Sequence, residues 1–130
     1  MITLTELNQL EGAGFVAVLG GVFEHSPWVA ERAGVAGPFG SLDELHRAMC
    51  AAMHEAGDEE KLVLIRKHPD LGDRLGALTD ESATEQKAAG LDVLTEAEVA
   101  QFQRCNETYR SKFDFPFVVC ARLNDKRSIL

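Results

Sequence analysis

Three times in this chain a Ser or Thr stands three residues ahead of a Glu at the head of an apolar pattern: Thr3 with Glu6, Ser41 with Glu44, and Thr95 with Glu98. At that spacing the hydroxyl can accept from a backbone amide in the first helical turn while the carboxylate reaches back toward the cap, so each pair marks a helix start. Leu4, Leu7 and Leu10 follow the first cap at helical intervals, up to an expected stop at Gly12 and Gly14. Phe15 to Phe23 is a short, apolar, Gly-interrupted segment, and Ser26-Pro27 permits a new helix from Trp28 to about Ala33. After Ser41, Leu45, Met49 and Met53 define one buried face, closed by Gly57. A further helix is expected over Asp58 to Lys67 with Leu62 and Ile65 inward, ending where Pro69 disfavours a helical His68. A loop with Gly72 and Gly76 leads to a helix from Asp80 to Ala89, closed by Gly90. Thr95 opens the longest amphipathic stretch, with Val99, Phe102, Tyr109 and Phe113 on one stripe. The one good strand candidate is FPFVVCARL, rich in Val and Phe and broken by Pro116. A single strand makes no sheet, so it reads as an extended segment packed across helices. The expected fold is all-α, a single-domain helical bundle over residues 1–130 with one extended FPFVV segment.

Charge narrows the function classes. Thirteen Lys and Arg against 21 Asp and Glu give a net charge of −8 and a pI near 4.9, which argues against nucleic acid or anionic membrane as a partner. Apolar residues at 45% and charged residues at 26% match an ordinary folded domain rather than a disordered one. No run of 18 apolar residues is present, and the N-terminal stretch MITLTELNQLEGAG carries two Glu and no Lys or Arg, unlike a signal peptide. Cys50, Cys105 and Cys120 are odd in number and form no Cys-x-x-Cys pair, so they read as reduced, partly buried thiols. A cytoplasmic location is expected.

The glycine-rich nucleotide loops, the His-Glu-x-x-His metalloprotease motif and the Gly-x-Ser-x-Gly nucleophile elbow are all absent. His46 and His54 lie eight residues apart on one expected helix, too far along its axis to share a metal unaided, and read as exposed. His25 reads as loop and cap chemistry. His68 stands at a helix end, where the dipole favours an imidazolium, with Pro69 and Asp70 after it. It suits proton transfer, or simply a structural C-cap. Ser82, Glu85 and Gln86 share one helix face, offering a hydroxyl, a carboxylate and an amide to a small polar ligand, or a solvated helix face. Lys112 to Val119 could supply an apolar wall with backbone amides for carbonyl or carboxylate oxygens, or a hydrophobic plug.

Taken together, HPDLG at 68–72, Ser-x-x-Glu-Gln at 82–86 with AGL at 89–91, and Asn-x-x-Tyr-x-x-Lys-Phe-x-FPFVV at 106–119 resemble the OHCU decarboxylase family, whose members act on 2-oxo-4-hydroxy-4-carboxy-5-ureidoimidazoline. FEHSPWVAERA at 23–33 is similar to that family's N-terminal signature. The resemblance implies an all-α homodimer with no cofactor and no metal, acting on a small-molecule ureidoimidazoline at the end of the urate-to-allantoin route. It implies His68 as catalytic acid/base, positioned by Pro69 and Asp70, with Glu85 beside the departing carboxylate or hydroxyl. Ser82 and Gln86 would bind ring and ureido atoms, and Phe117, Val118 and Val119 would hold the rest of the ring. Loss of carbon dioxide leaves a carbanion that the ring carbonyl and nitrogen delocalise, so the protein need supply only orientation, charge stabilisation and a proton to one face. Two departures stand out. Asp114 occupies a position where the family commonly has Gly, which a positive φ would tolerate. KRSIL at 126–130 resembles the start of the family's last helix, so the C-terminal helix and its substrate-reaching Arg are expected to be missing; Arg122 is not equated with that residue. The rival readings are a non-catalytic small-molecule-binding relative and a helical interaction module.

Overall fold

The computed structural model describes residues 2–72 and 80–130, with Glu81 described by its backbone alone; Gly76 lies outside the described residues. All regular structure among these residues is helical. They fall into two compact units, Met1–Leu64 and Ile65–Leu130.

The first unit contains α1 (Leu4–Leu7), α2 (Gly12–Leu19), α3 (Trp28–Gly34), α4 (Leu42–His54) and most of α5 (Asp58–Arg66). Thr3 and Glu6 form the expected capping box, but α1 lasts one turn. Gly12 and Gly14, expected as a stop, form the first turn of α2 instead. The break lies at Glu11, whose extended backbone caps α2. Burial of Phe15, 6% exposed, outweighs the weak helix preference of its two glycine neighbours. Ser41 Oγ accepts from the Glu44 amide at 3.1 Å, while the Glu44 carboxylate reaches the Gly40 amide at 2.7 Å, one residue earlier than a capping box requires. Leu45 and Met49 are buried with Leu7, Phe15, Val29, Ala30, Ala33 and Phe39, and Met53 packs half-buried at the edge of that core. In α5 the buried residue is Leu64, not Leu62 or Ile65, which are both half-buried. Leu62 to Ile65 is apolar at every position, so its 100° steps go right round the helix and periodicity selects no face.

The second unit holds α6 (Asp80–Ala88), α7 (Glu96–Phe113), a 3₁₀ turn (Ala121–Leu123) and α8 (Lys126–Ile129) around Leu71, Ala89, Leu91, Leu94, Phe102 and Ala121. Gly90, at φ +75°, closes α6 as expected. The Thr95–Glu98 capping box opens α7, and Asp114 closes it in the left-handed region at φ 62°, donating its amide to Arg110 O at 2.8 Å. Phe113 ends the predicted stripe but is 43% exposed, because the helix runs out there; its ring packs on Tyr109 at 4.5 Å between centroids. The FPFVVCARL strand candidate forms no strand. Its first six residues carry no regular structure and its last three form the 3₁₀ turn. What holds it extended is packing: Pro116 is fully buried, and Phe115 and Phe117 meet the Tyr109 ring edge-on at 6.0 and 5.3 Å. Of the cysteines, Cys50 is half-buried as expected, whereas Cys105 and Cys120 are exposed. No helix among the described residues is long and apolar enough to cross a membrane.

Candidate active site

The end of α5 builds the first wall of a cleft in the second unit. The helix stops at Arg66, and the His68 amide makes a last turn-like bond to Ile65 O at 3.1 Å. Pro69 then turns the chain away, and the segment to Gly72 is tied to the neighbouring helices through its backbone. Gln86 in α6 accepts the Gly72 amide at 3.0 Å and donates to Asp70 O at 3.4 Å. Asn106 in α7 donates to Leu71 O at 3.0 Å. Both amide side chains are buried, so these bonds satisfy groups that would otherwise be costly to bury.

The cleft encloses about 360 Å³ out to its open mouth and is lined by His68, Pro69, Leu71, Ser82, Glu85, Gln86, Phe117, Val118, Val119 and Ala121. All eight site residues expected from the sequence therefore meet around one space, from three segments: the HPDLG turn, one face of α6, and the extended segment after α7. His68 and Ser82 are half-buried and Glu85 is exposed at the mouth, while Gln86 forms part of the floor, its amide already engaged with the HPDLG backbone. Among the described residues, the amides of Phe117, Val118 and Val119 donate to no protein acceptor, so this extended, largely apolar wall still has backbone donors to offer. Such donors suit carbonyl or carboxylate oxygens.

Leu71 and Ala121 complete the lining and were not singled out in the sequence; Leu71 was within the HPDLG string, whereas Ala121 carried no signal. The other histidines stay outside. His46 and His54 are exposed, with His46 Nε2 3.5 Å from Cys50 Sγ, and His25 takes φ 44° beside Glu24 at 3.4 Å. Arg122, on the 3₁₀ turn, is exposed and does not line the cleft. Among the described residues no three His, Cys, Asp or Glu side chains gather as a metal site.

Known proteins place these residues in context. The chain is 49% identical over 121 residues to the 2-oxo-4-hydroxy-4-carboxy-5-ureidoimidazoline decarboxylase of Haloferax volcanii, covering 93% of this chain and 71% of that protein. It is 40% identical over 129 residues to the uric acid degradation bifunctional protein PucL of Bacillus subtilis, covering 99% of this chain and 26% of the longer protein. A crystal structure of (S)-allantoin synthase superposes with a TM-score of 0.75 at 28% identity over 99% of this chain, which spans 41% of that one. The OHCU decarboxylase profile matches residues 8–130, and the chain belongs to the OHCU decarboxylase family.

Proposed function

We propose that this chain removes carbon dioxide from 2-oxo-4-hydroxy-4-carboxy-5-ureidoimidazoline and protonates the product on one face to give (S)-allantoin, with His68 as acid/base and Glu85 assisting. Family membership makes it a decarboxylase of urate degradation. The observation that supports the residue assignment is one cleft lined by His68, Ser82, Glu85, Gln86 and the Phe117–Val119 segment. In the reaction the bond from the hydroxyl-bearing ring carbon to the carboxylate breaks, carbon dioxide departs, and the electron pair forms an enol double bond to the ureido-bearing carbon as the ring C=N takes the charge onto nitrogen, conjugated with the ring carbonyl. Amide donors on the 117–119 wall would stabilise the charge that develops on oxygen. His68, on one wall of the cleft, would then deliver a proton to the ureido-bearing ring carbon, while the neighbouring hydroxyl gives up its own proton and becomes the ring carbonyl, so the facial choice comes from the position of His68. Ser82 and Gln86 would hold the ring and ureido atoms. We further take the protein to work as a cytoplasmic homodimer, with no cofactor or metal.

The test is circular dichroism during coupled oxidation of urate, in which urate oxidase and the following hydrolase make the unstable substrate in the cuvette. Wild-type protein should yield optically active allantoin quickly, and His68→Ala should slow this by about 100- to 10,000-fold. Slow racemic product with the wild type as well would overturn the proposal. A substrate analogue that then still raised the melting temperature would point to a non-catalytic binder, and no shift at all to a helical interaction module.

A further inference from the structure

His68 is bracketed by two charged residues at equal distance in sequence, and both are tied to the same place. Two residues before it, Arg66 donates Nε to the Asp114 carbonyl at 3.1 Å and pairs its Nη2 with the Asp114 carboxylate. Two residues after it, Asp70 accepts from Arg110 Nη2 at 2.5 Å. Arg110 and Asp114 are one turn apart at the end of α7, joined by the bond from the Asp114 amide to Arg110 O. The left-handed backbone of Asp114 puts both its carbonyl and its carboxylate within reach of one guanidinium. These pairs lie at the surface, with Asp114 88% exposed, where ion pairs contribute little to stability. Their placement two residues before and two residues after His68, both on one helix end, is better suited to fixing that turn than to holding a fold together.

We propose that Arg66, Asp70, Arg110 and Asp114 form a two-sided clamp from the end of α7 that positions the His68 imidazole for proton delivery. All four are positioning residues, since none of them lines the cleft. The clamp rests on the proposed role of His68. Each tie removes freedom from one flank of a short turn, and misplacing a reacting group by about 1 Å costs about 100-fold in rate.

The experiment compares wild type with Arg66→Gln, Arg110→Gln and the double variant, reading kcat and KM, melting temperature and hydrogen exchange of the amides at 67–72. The single variants should lose about tenfold in kcat and the double variant about 100-fold, with KM within about twofold and melting temperature within about 2 °C. Exchange should quicken at 67–72 and nowhere else. Exchanging the partners, Asp70→Arg with Arg110→Asp, should recover kcat to within about threefold of wild type. Asp114→Asn keeps the left-handed cap and removes only the carboxylate, so it decides the matter should the double variant fail to fold. Unchanged kcat, a kcat loss without quicker exchange, or a kcat loss matched by a large drop in melting temperature would each overturn the clamp. If the wild type shows no turnover, the proposed function is what fails, and the exchange rates then decide by themselves whether the pairs hold the turn.

Discussion

Gly72 and Gln86 show how little freedom the HPDLG turn has. Gly72 sits at φ +73°, and a β-carbon there would lie 3.0 Å from Leu94 Cδ1 and 3.3 Å from Phe102 Cγ. Gly72→Ala should therefore cost about 1–3 kcal/mol, from backbone strain and displaced core side chains, read as a lower urea midpoint with unchanged slope. Gln86→Ala should cost a similar 1–3 kcal/mol, because it leaves the Gly72 amide without its acceptor. Glu85 differs from its neighbour. It is exposed at the mouth of the cleft, so Glu85→Gln should leave the melting temperature unmoved while lowering kcat by about 10- to 100-fold in the coupled dichroism assay. That Ser82, Glu85 and Gln86 share a face was legible from their spacing alone. That Gln86 faces the backbone of a turn fourteen and sixteen residues away was not, because local periodicity carries no information about the partner of an inward-pointing amide.

At the level of elements, α8 is secured to α7 by charge. Lys126 Nζ lies 2.8 Å from the Glu98 carboxylate, which also accepts the Thr95 amide at 2.8 Å. The Lys126 contact first, and the Thr95 amide second, hold the Glu98 carboxyl down at about 2 against an ordinary 4.5. A carboxylate depressed in the folded state binds fewer protons there than when unfolded, so its contribution to stability is complete above about 4.5 and is lost as pH falls toward 2. Wild type and Glu98→Gln should thus differ most in melting temperature near neutral pH and converge between pH 4.5 and 2; a constant gap would show that the loss is one of packing. Capping chemistry of this kind is what made the helices legible, since the Thr3, Ser41 and Thr95 hydroxyls act on amides three residues away. Tertiary contacts were less legible. Burial of Phe15 draws Gly12 and Gly14 into α2 where a stop was expected, and the FPFVV segment, extended as expected, is held so by Tyr109, a contact that its composition does not reveal. Asp114 falls between these cases: Asp is among the residues that tolerate the left-handed backbone found there, but its pairing with Arg66 depends on a residue 48 positions away.

Across the whole molecule the acid is unevenly shared. Residues 1–64 carry 3 Lys and Arg against 10 Asp and Glu, a charge of −7, whereas residues 65–130, which contain the cleft, carry 10 against 11, a charge of −1. The proposed substrate bears a carboxylate, so a net charge of −8 would repel it if that charge acted from around the cleft. With the site-bearing unit itself nearly neutral, the repulsion arising from that unit should be slight. Accordingly, kcat/KM should change by less than about twofold between about 20 and 200 mM sodium chloride, measured with substrate well below KM. A steep rise with salt would mean that the acidic residues 1–64 govern the approach of substrate after all. A steep fall of kcat at unchanged KM, carrying kcat/KM down with it, would have another cause, because the exposed Arg66–Asp114 and Arg110–Asp70 pairs are also screened by salt. Repeating the series with the Arg66→Gln/Arg110→Gln double variant separates the two: loss of both pairs removes the fall in kcat, whereas repulsion by the acidic residues persists as a rise in kcat/KM with salt.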